Sequence, residues 1–352
     1  MKSTTNELLG ILAHGITTIK SSVSASPVSN CILFSGKKAT VFSAGTVVNA
    51  TLPEEVAEPF LIDAVKLGEI LTVSKNEEAE LVPSDGKIVV KIGSKKKFTL
   101  ATLPVADFPE NNRLETMTMY ECVGLGNAVQ RVLYAAADND HRRVLIGVNV
   151  HASGTDWFIT ATDGKKLARV RIDGPAAEFK ITIPLDIAKM MVGVDGVSIG
   201  DGCLRFEAGP SVVWCQLLEG KFPDCNAVIP KDFKWKLELD RSKMLSAAKS
   251  CMVTADGKNL AVVVNIADGV ARFESMSADV GKCSAELECV AEPIEFAING
   301  KLLIELLSKF KTDVVAFDVA GPKSPIVVKD GDWMALVMPV KLADIRTVEV
   351  AV

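Results

Sequence analysis

Leu8, Leu12, Ile16 and Ile19 recur at three- and four-residue spacing behind Thr4-x-x-Glu7, which predicts a helix over 5–20 with an apolar stripe and a capping box. The period then changes. Asp85-Gly86-Lys87-Ile88-Val89-Val90-Lys91-Ile92-Gly93, followed by Phe98-Thr99-Leu100-Ala101-Thr102-Leu103, places β-formers on both sides of a glycine turn and predicts a hairpin. The plan returns 116 residues on, as Asp201-Gly202-Cys203-Leu204-Arg205-Phe206-Glu207-Ala208-Gly209 with Trp214-Cys215-Gln216-Leu217-Leu218. A third copy is Ser324-Pro325-Ile326-Val327-Val328-Lys329-Asp330-Gly331-Asp332 with Trp333-Met334-Ala335-Leu336-Val337-Met338. Upstream of each, Phe60–Lys66, Ile181–Ile187 and Phe296–Leu302 read as a strand entering a helix, with Asp63, Pro184 and Asn299 at helix N-termini. Helices are therefore predicted at 5–20, 61–75, 125–137, 185–192, 241–253 and 299–311.

The repeat makes the chain α+β: three similar domains, 1–112, 113–230 and 231–342, each with two helices packed on antiparallel sheets, and a C-terminal extension over 343–352. Asp107–Asn112 and Lys221–Asn226, which share a Phe-Pro-acid pattern, are the linkers. Three such domains form a linear array or, if their ends meet in an oligomer, a closed ring.

Composition narrows this. At 48% hydrophobic and 24% charged over 352 residues, the chain is globular rather than disordered. A net charge of −5 excludes a protein that coats nucleic acid with its whole surface. The six predicted helices nevertheless carry eleven bases against five acids, which leaves the remainder acidic and allows a basic helix face that meets phosphates without reading sequence. The eight cysteines include no C-x-x-C pair and read as reduced core residues. Glu7 and His14 interrupt the first apolar stretch, so it fails as a signal peptide, and no run is long enough to span a bilayer; a cytoplasmic protein is expected, with no membrane partner.

Catalytic chemistry is absent from the pattern. His14, His141 and His151 lack metal-ligand spacing, and Gly124-Leu125-Gly126 opens a helix without the rest of a dinucleotide fingerprint. Asp138-Asn139-Asp140-His141 has donors for a divalent ion but reads as a solvated turn. No catalytic residue, metal or cofactor is expected, and an enzyme is disfavoured.

Four stretches in order resemble the bacterial sliding clamp, the β subunit of DNA polymerase III: Thr102-Leu103-Pro104-Val105-Ala106-Asp107-Phe108-Pro109, Ala161-Thr162-Asp163-Gly164-Lys165-Lys166-Leu167-Ala168, Gly220-Lys221-Phe222-Pro223-Asp224 with Val228-Ile229-Pro230, and Met338-Pro339-Val340-Lys341-Leu342. The resemblance implies a DNA clamp fold and a homodimeric ring around double-stranded DNA, with helices lining the hole. It also implies a processivity role for the polymerase catalytic subunit, a separate clamp loader, and other partners carrying a clamp-binding motif.

Position by position, the family's peptide pocket between domains 2 and 3 falls on Leu145, Thr162, Gly164, Lys165, Lys166, Leu167, Pro223, Val228, Leu336, Val337, Met338 and Pro339. An apolar floor for a Leu or Phe anchor and a polar rim at the two lysines make physical sense of that set. The DNA-facing bases would be Lys20, Lys66, Lys75, Arg131, Lys189, Lys243, Lys249, Lys301 and Lys309, and the dimer seam Phe98 and Leu100 against Met252 and Val253. The chain departs from the family at Ser21–Asn30, which lacks an arginine that many clamps place there, and at Cys225 and Ala227, where an aromatic and a basic residue are common. The tail 343–352 is additional. The other reading is a clamp-fold adaptor or decoy that binds replication proteins without encircling DNA.

Overall fold

Helices form where apolar spacing and caps coincide: α1 (Thr5–Ser21), α2 (Ala64–Val73), α3 (Leu125–Val132), α4 (Leu185–Ala188), α5 (Arg241–Met252) and α6 (Gly300–Leu307). These come from a computed structural model describing residues 1–21, 27–109, 116–255, 260–277 and 279–342. Leu8, Leu12, Ile16 and Ile19 are all buried, as the stripe requires. Thr4 Oγ1 accepts the Glu7 amide at 3.2 Å, but the Glu7 carboxylate turns to the Ser3 hydroxyl, so only half of the expected capping box forms. Asp63 and Asn299 cap α2 and α6 through the Lys66 and Leu302 amides at 2.8 and 3.1 Å. Asp240 caps α5, its Oδ1 accepting from the Lys243 amide at 2.8 Å.

Several helices are shorter than the spacing predicts. α2 starts at 64 because Leu61 and Ile62 stay in the ladder, opposite Leu33 and Ile32. α3 tightens into a 3₁₀ turn over Leu133–Ala135, and α4 gives way to turns in which the Met190 amide bonds the Ile187 carbonyl at 2.9 Å.

The three expected hairpins are present: Lys87–Ile92 pairs with Lys96–Leu103, Cys203–Ala208 with Ser211–Gln216, and Ile326–Asp330 with Trp333–Val337. The Asp-Gly steps at 85–86 and 201–202 take positive φ at both residues, 48° and 71°, 42° and 74°, and join the preceding strands Glu78–Ser84 and Gly196–Gly200 to the first strands of the first two hairpins. Gly126 answers for the Gly-Leu-Gly motif. A Cβ there would lie 2.1 Å from the Met191 carbonyl oxygen, and its amide donates to the Val194 carbonyl at 2.7 Å, so the glycine serves backbone approach rather than a phosphate.

The chain divides into two compact units: Met1–Gln130 with Gly174–Ala177 and Ile181–Glu219, and Arg131–Asp173 with Glu178–Lys180 and Gly220–Val352. The first holds a ten-stranded sheet in which Ser211–Gln216 pairs with Thr46–Asp63, so strands of two sequence repeats share one ladder. The second holds a six-stranded and a five-stranded sheet; in the former, Trp333–Val337 runs beside Lys166–Val170. All eight cysteines are free, and seven are buried.

Candidate functional site

Ten of the twelve expected pocket residues line one cavity of about 200 Å3 in the second unit. Its floor is Leu145, Leu167 and Leu336, each 2% exposed or less, within an apolar cluster that includes Val144, Phe222 and Val327. Leu336 stands directly opposite Leu167 in the ladder, so the two side chains share a face. Val228 at 47% and Met338 at 38% exposure form an open apolar rim. Buried Leu side chains contribute about 2–3 kcal/mol each to the fold, so the floor is core that happens to end at a surface opening.

The turn at 162–166 shapes one wall. Thr162 Oγ1 donates to the Lys166 carbonyl at 2.7 Å and accepts from the Gly164 amide at 3.1 Å, while Asp163 Oδ1 accepts from the Lys165 and Lys166 amides, both at 2.8 Å. The Lys165 carbonyl takes the Met338 amide at 2.8 Å, which ties the turn to the other wall. Lys166 is not a free rim charge: its ammonium meets Glu305 of α6 at 2.6 Å.

Val337 and Pro339 do not reach the cavity. Alternation along the strand sends Val337 to the opposite face from Leu336, where it is 2% exposed, and Pro339 stands opposite Ile298 in the five-stranded sheet. Arg142, Asp224 and Cys225 line the cavity and were not among the expected residues, although Asp224 belongs to the Phe-Pro-Asp motif and Cys225 was marked as a departure. The acidic turn before Arg142 is engaged by it: Asp140 accepts the Arg142 amide at 2.8 Å and its guanidinium at 3.1 and 3.2 Å, and this pairing holds the Asp140 carboxyl down at about 2. No cluster of three metal-ligating side chains occurs among the described residues.

All nine expected DNA-facing bases are exposed. The helices as formed carry seven bases and four acids, a smaller excess than the predicted spans gave, because Lys75, Lys189, Lys309 and Lys311 lie past helix ends. Arg131 pairs with Asp330 at 3.1 Å and stacks over Trp333, Lys66 pairs with Glu69 at 3.0 Å, and Lys309 lies over the Tyr134 ring at 5.5 Å. At the expected seam, Phe98 and Leu100 are half-buried on Lys96–Leu103; Met252 is half-buried and Val253 is 73% exposed. Residues 22–26 of the loop 21–30, and the whole tail 343–352, lie outside the described residues.

Repeated helix-and-hairpin modules and a side-chain-sized apolar cavity define a protein of the clamp-fold class. Residues 122–224 match the DNA polymerase III beta subunit central domain and 226–341 its C-terminal domain, together more than half of the chain. The chain therefore belongs to the DNA polymerase III beta subunit family, the sliding clamps, non-catalytic processivity factors that tether the replicative polymerase.

The beta sliding clamp of Vibrio cholerae is 26% identical over 272 residues, 73% of this chain and 74% of that protein, and that of Streptomyces coelicolor is 26% identical over 330 residues, 86% of each. Among solved structures, the Thermotoga maritima beta subunit superposes with a TM-score of 0.88 at 23% identity, over 97% of this chain and 99% of that one. A Pseudomonas aeruginosa clamp bound to griselimycin gives 0.86 at 21% identity, over the same shares.

Proposed function

We propose that two copies of the chain close head to tail into a ring around duplex DNA in the cytoplasm, and that the 200 Å3 cavity takes the hydrophobic anchor of a short peptide segment from the polymerase catalytic subunit, the clamp loader or other motif-bearing proteins. The observation that carries this is the cavity itself. A buried leucine floor opening between Val228 and Met338 suits an inserted Leu or Phe, the kind of anchor that dominates peptide affinity.

Enclosure removes the need for tight base readout. Exposed lysines on the helices supply weak, sequence-independent phosphate contacts that weaken with salt, so the ring slides. Retention on DNA tests this reading. With a loader present, the protein stays on nicked circular plasmid and is lost once the plasmid is linearised. Binding that ignores linearisation identifies an adaptor that does not encircle DNA.

A further inference from the structure

A second cavity, of about 160 Å3, adjoins the apolar one in the same unit, and the two share Pro223, Asp224 and Cys225 as a wall. Strand alternation places them on one sheet face. Thr162 and Leu167 line the first cavity, Thr160 and Arg169 the second, each pair two residues along its strand, a step of about 7 Å. Their chemistry differs. Where the first has leucines, the second has Arg169, Lys180 and His151.

Arg169 is held in place. Its Nε donates to Thr160 Oγ1 at 3.1 Å and its Nη1 to Asn226 Oδ1 at 2.7 Å, and the guanidinium lies 5.7 Å from the centre of the Phe158 ring. Neither Arg169 nor Lys180 forms an ion pair among the described residues. Asp224 also lines the cavity, but its Oδ1 accepts the Asn226 amide, and it lies beyond ion-pair distance of Arg169. Two cations against one carboxylate leave the cavity positive even with His151 neutral. Asp224 and the Cys225 side chain attract this half-buried guanidinium without forming an ion pair, so part of its desolvation cost remains for a bound anion to offset, and the guanidinium fork matches carboxylate and phosphate oxygens. Burial lowers the Arg169 pKa, the mark of that cost.

We propose that this second cavity is an oxyanion site, in which the Arg169 guanidinium and the Lys180 ammonium bind a phosphate or carboxylate group beside the apolar pocket. The site does not depend on the apolar cavity taking a peptide.

The test titrates the full chain with inorganic phosphate, and separately with acetate, at constant ionic strength. Heat of binding and the Arg169 Nε–H resonance in 15N-arginine-labelled protein are the readouts. The wild type binds phosphate saturably and the Arg169 resonance moves. Affinity falls about ten-fold or more in Arg169→Gln and in Lys180→Gln, and part of it returns in Arg169→Lys. Lys180 is exposed, so its variant carries the test if Arg169→Gln fails to fold. Saturation by phosphate alone defines a phosphate site, and saturation by both anions shows that a carboxylate suffices. Absence of saturable binding by either, or equal affinity in wild type and Lys180→Gln, overturns the proposal.

Discussion

The Lys166 ammonium lies 2.6 Å from the Glu305 carboxylate, on a side chain only 12% exposed, while Glu305 is 36% exposed. The pair joins the 162–166 turn to α6, and Lys166 also sits 5.6 Å from the centre of the Tyr134 ring. The unequal exposure sets an order of costs. In Lys166→Met the remaining carboxylate rehydrates, and about 1 kcal/mol is lost. In Glu305→Ala the remaining ammonium stays largely desolvated, and about 2 kcal/mol is lost. Urea unfolding of the two variants checks this, and an equal or reversed order removes the pair from the account of the cavity wall.

Val228 is the rim residue to change, because at 47% exposure it contributes little to the fold and much to the opening. Val228→Asp puts a charge where an apolar anchor would enter. Fluorescence anisotropy with a short peptide carrying a Leu-Phe anchor is expected to show at least about a ten-fold loss of affinity, with thermal stability close to wild type. Unchanged affinity would place the peptide elsewhere.

The elements and the floor were legible because local rules and tertiary packing agree there. The Leu8 to Ile19 stripe, the Asp63 and Asn299 caps and the three hairpins follow from period and turn chemistry alone. What stayed illegible depended on partners distant in sequence. The periodic pattern extended α2 back to 61, since nothing local says that Ile62 pairs with Ile32. Val337 and Leu336 are equally apolar, and only the strand's orientation separates core from cavity. Arg142 escaped notice because its place depends on a bond to Asp140. The helix charge is smaller than the apolar period implies because α2, α4 and α6 end before Lys75, Lys189, Lys309 and Lys311.

The seam prediction turns on Val253, which follows α5 and, at 73% exposure, is free to meet an apolar surface of a second copy. Met252 is a poorer choice, since its sulfur lies 2.6 Å from where a Cβ on Gly300 would stand and so packs within its own unit. Phe98→Asp combined with Val253→Asp is expected to give a monomer by light scattering at micromolar concentration, with far-UV circular dichroism unchanged. A dimer of wild-type mass would move the seam away from these residues.

Arg142 and Asp140 supply the pH test. The carboxyl of Asp140 is held at about 2 against an ordinary value of 3.8, first by the side-chain hydrogen bond from Arg142 and then by the Arg142 amide. A depressed carboxyl favours the fold above its unfolded value, and that contribution fades as pH drops from about 4 to about 2. A carbon-detected titration of the Asp140 carboxyl is therefore expected to show no inflection near 4 in the wild type. In Arg142→Gln the amide bond can remain while the guanidinium is gone, so the midpoint rises toward, without fully reaching, the ordinary value. Because Arg142 lines the apolar cavity, the same variant reports on the opening: freed of the pair, the side chain at 142 no longer fixes that wall, and anchor-peptide affinity falls at neutral pH. A wild-type Asp140 midpoint near 4 would show that Arg142 is not held by this carboxylate in solution.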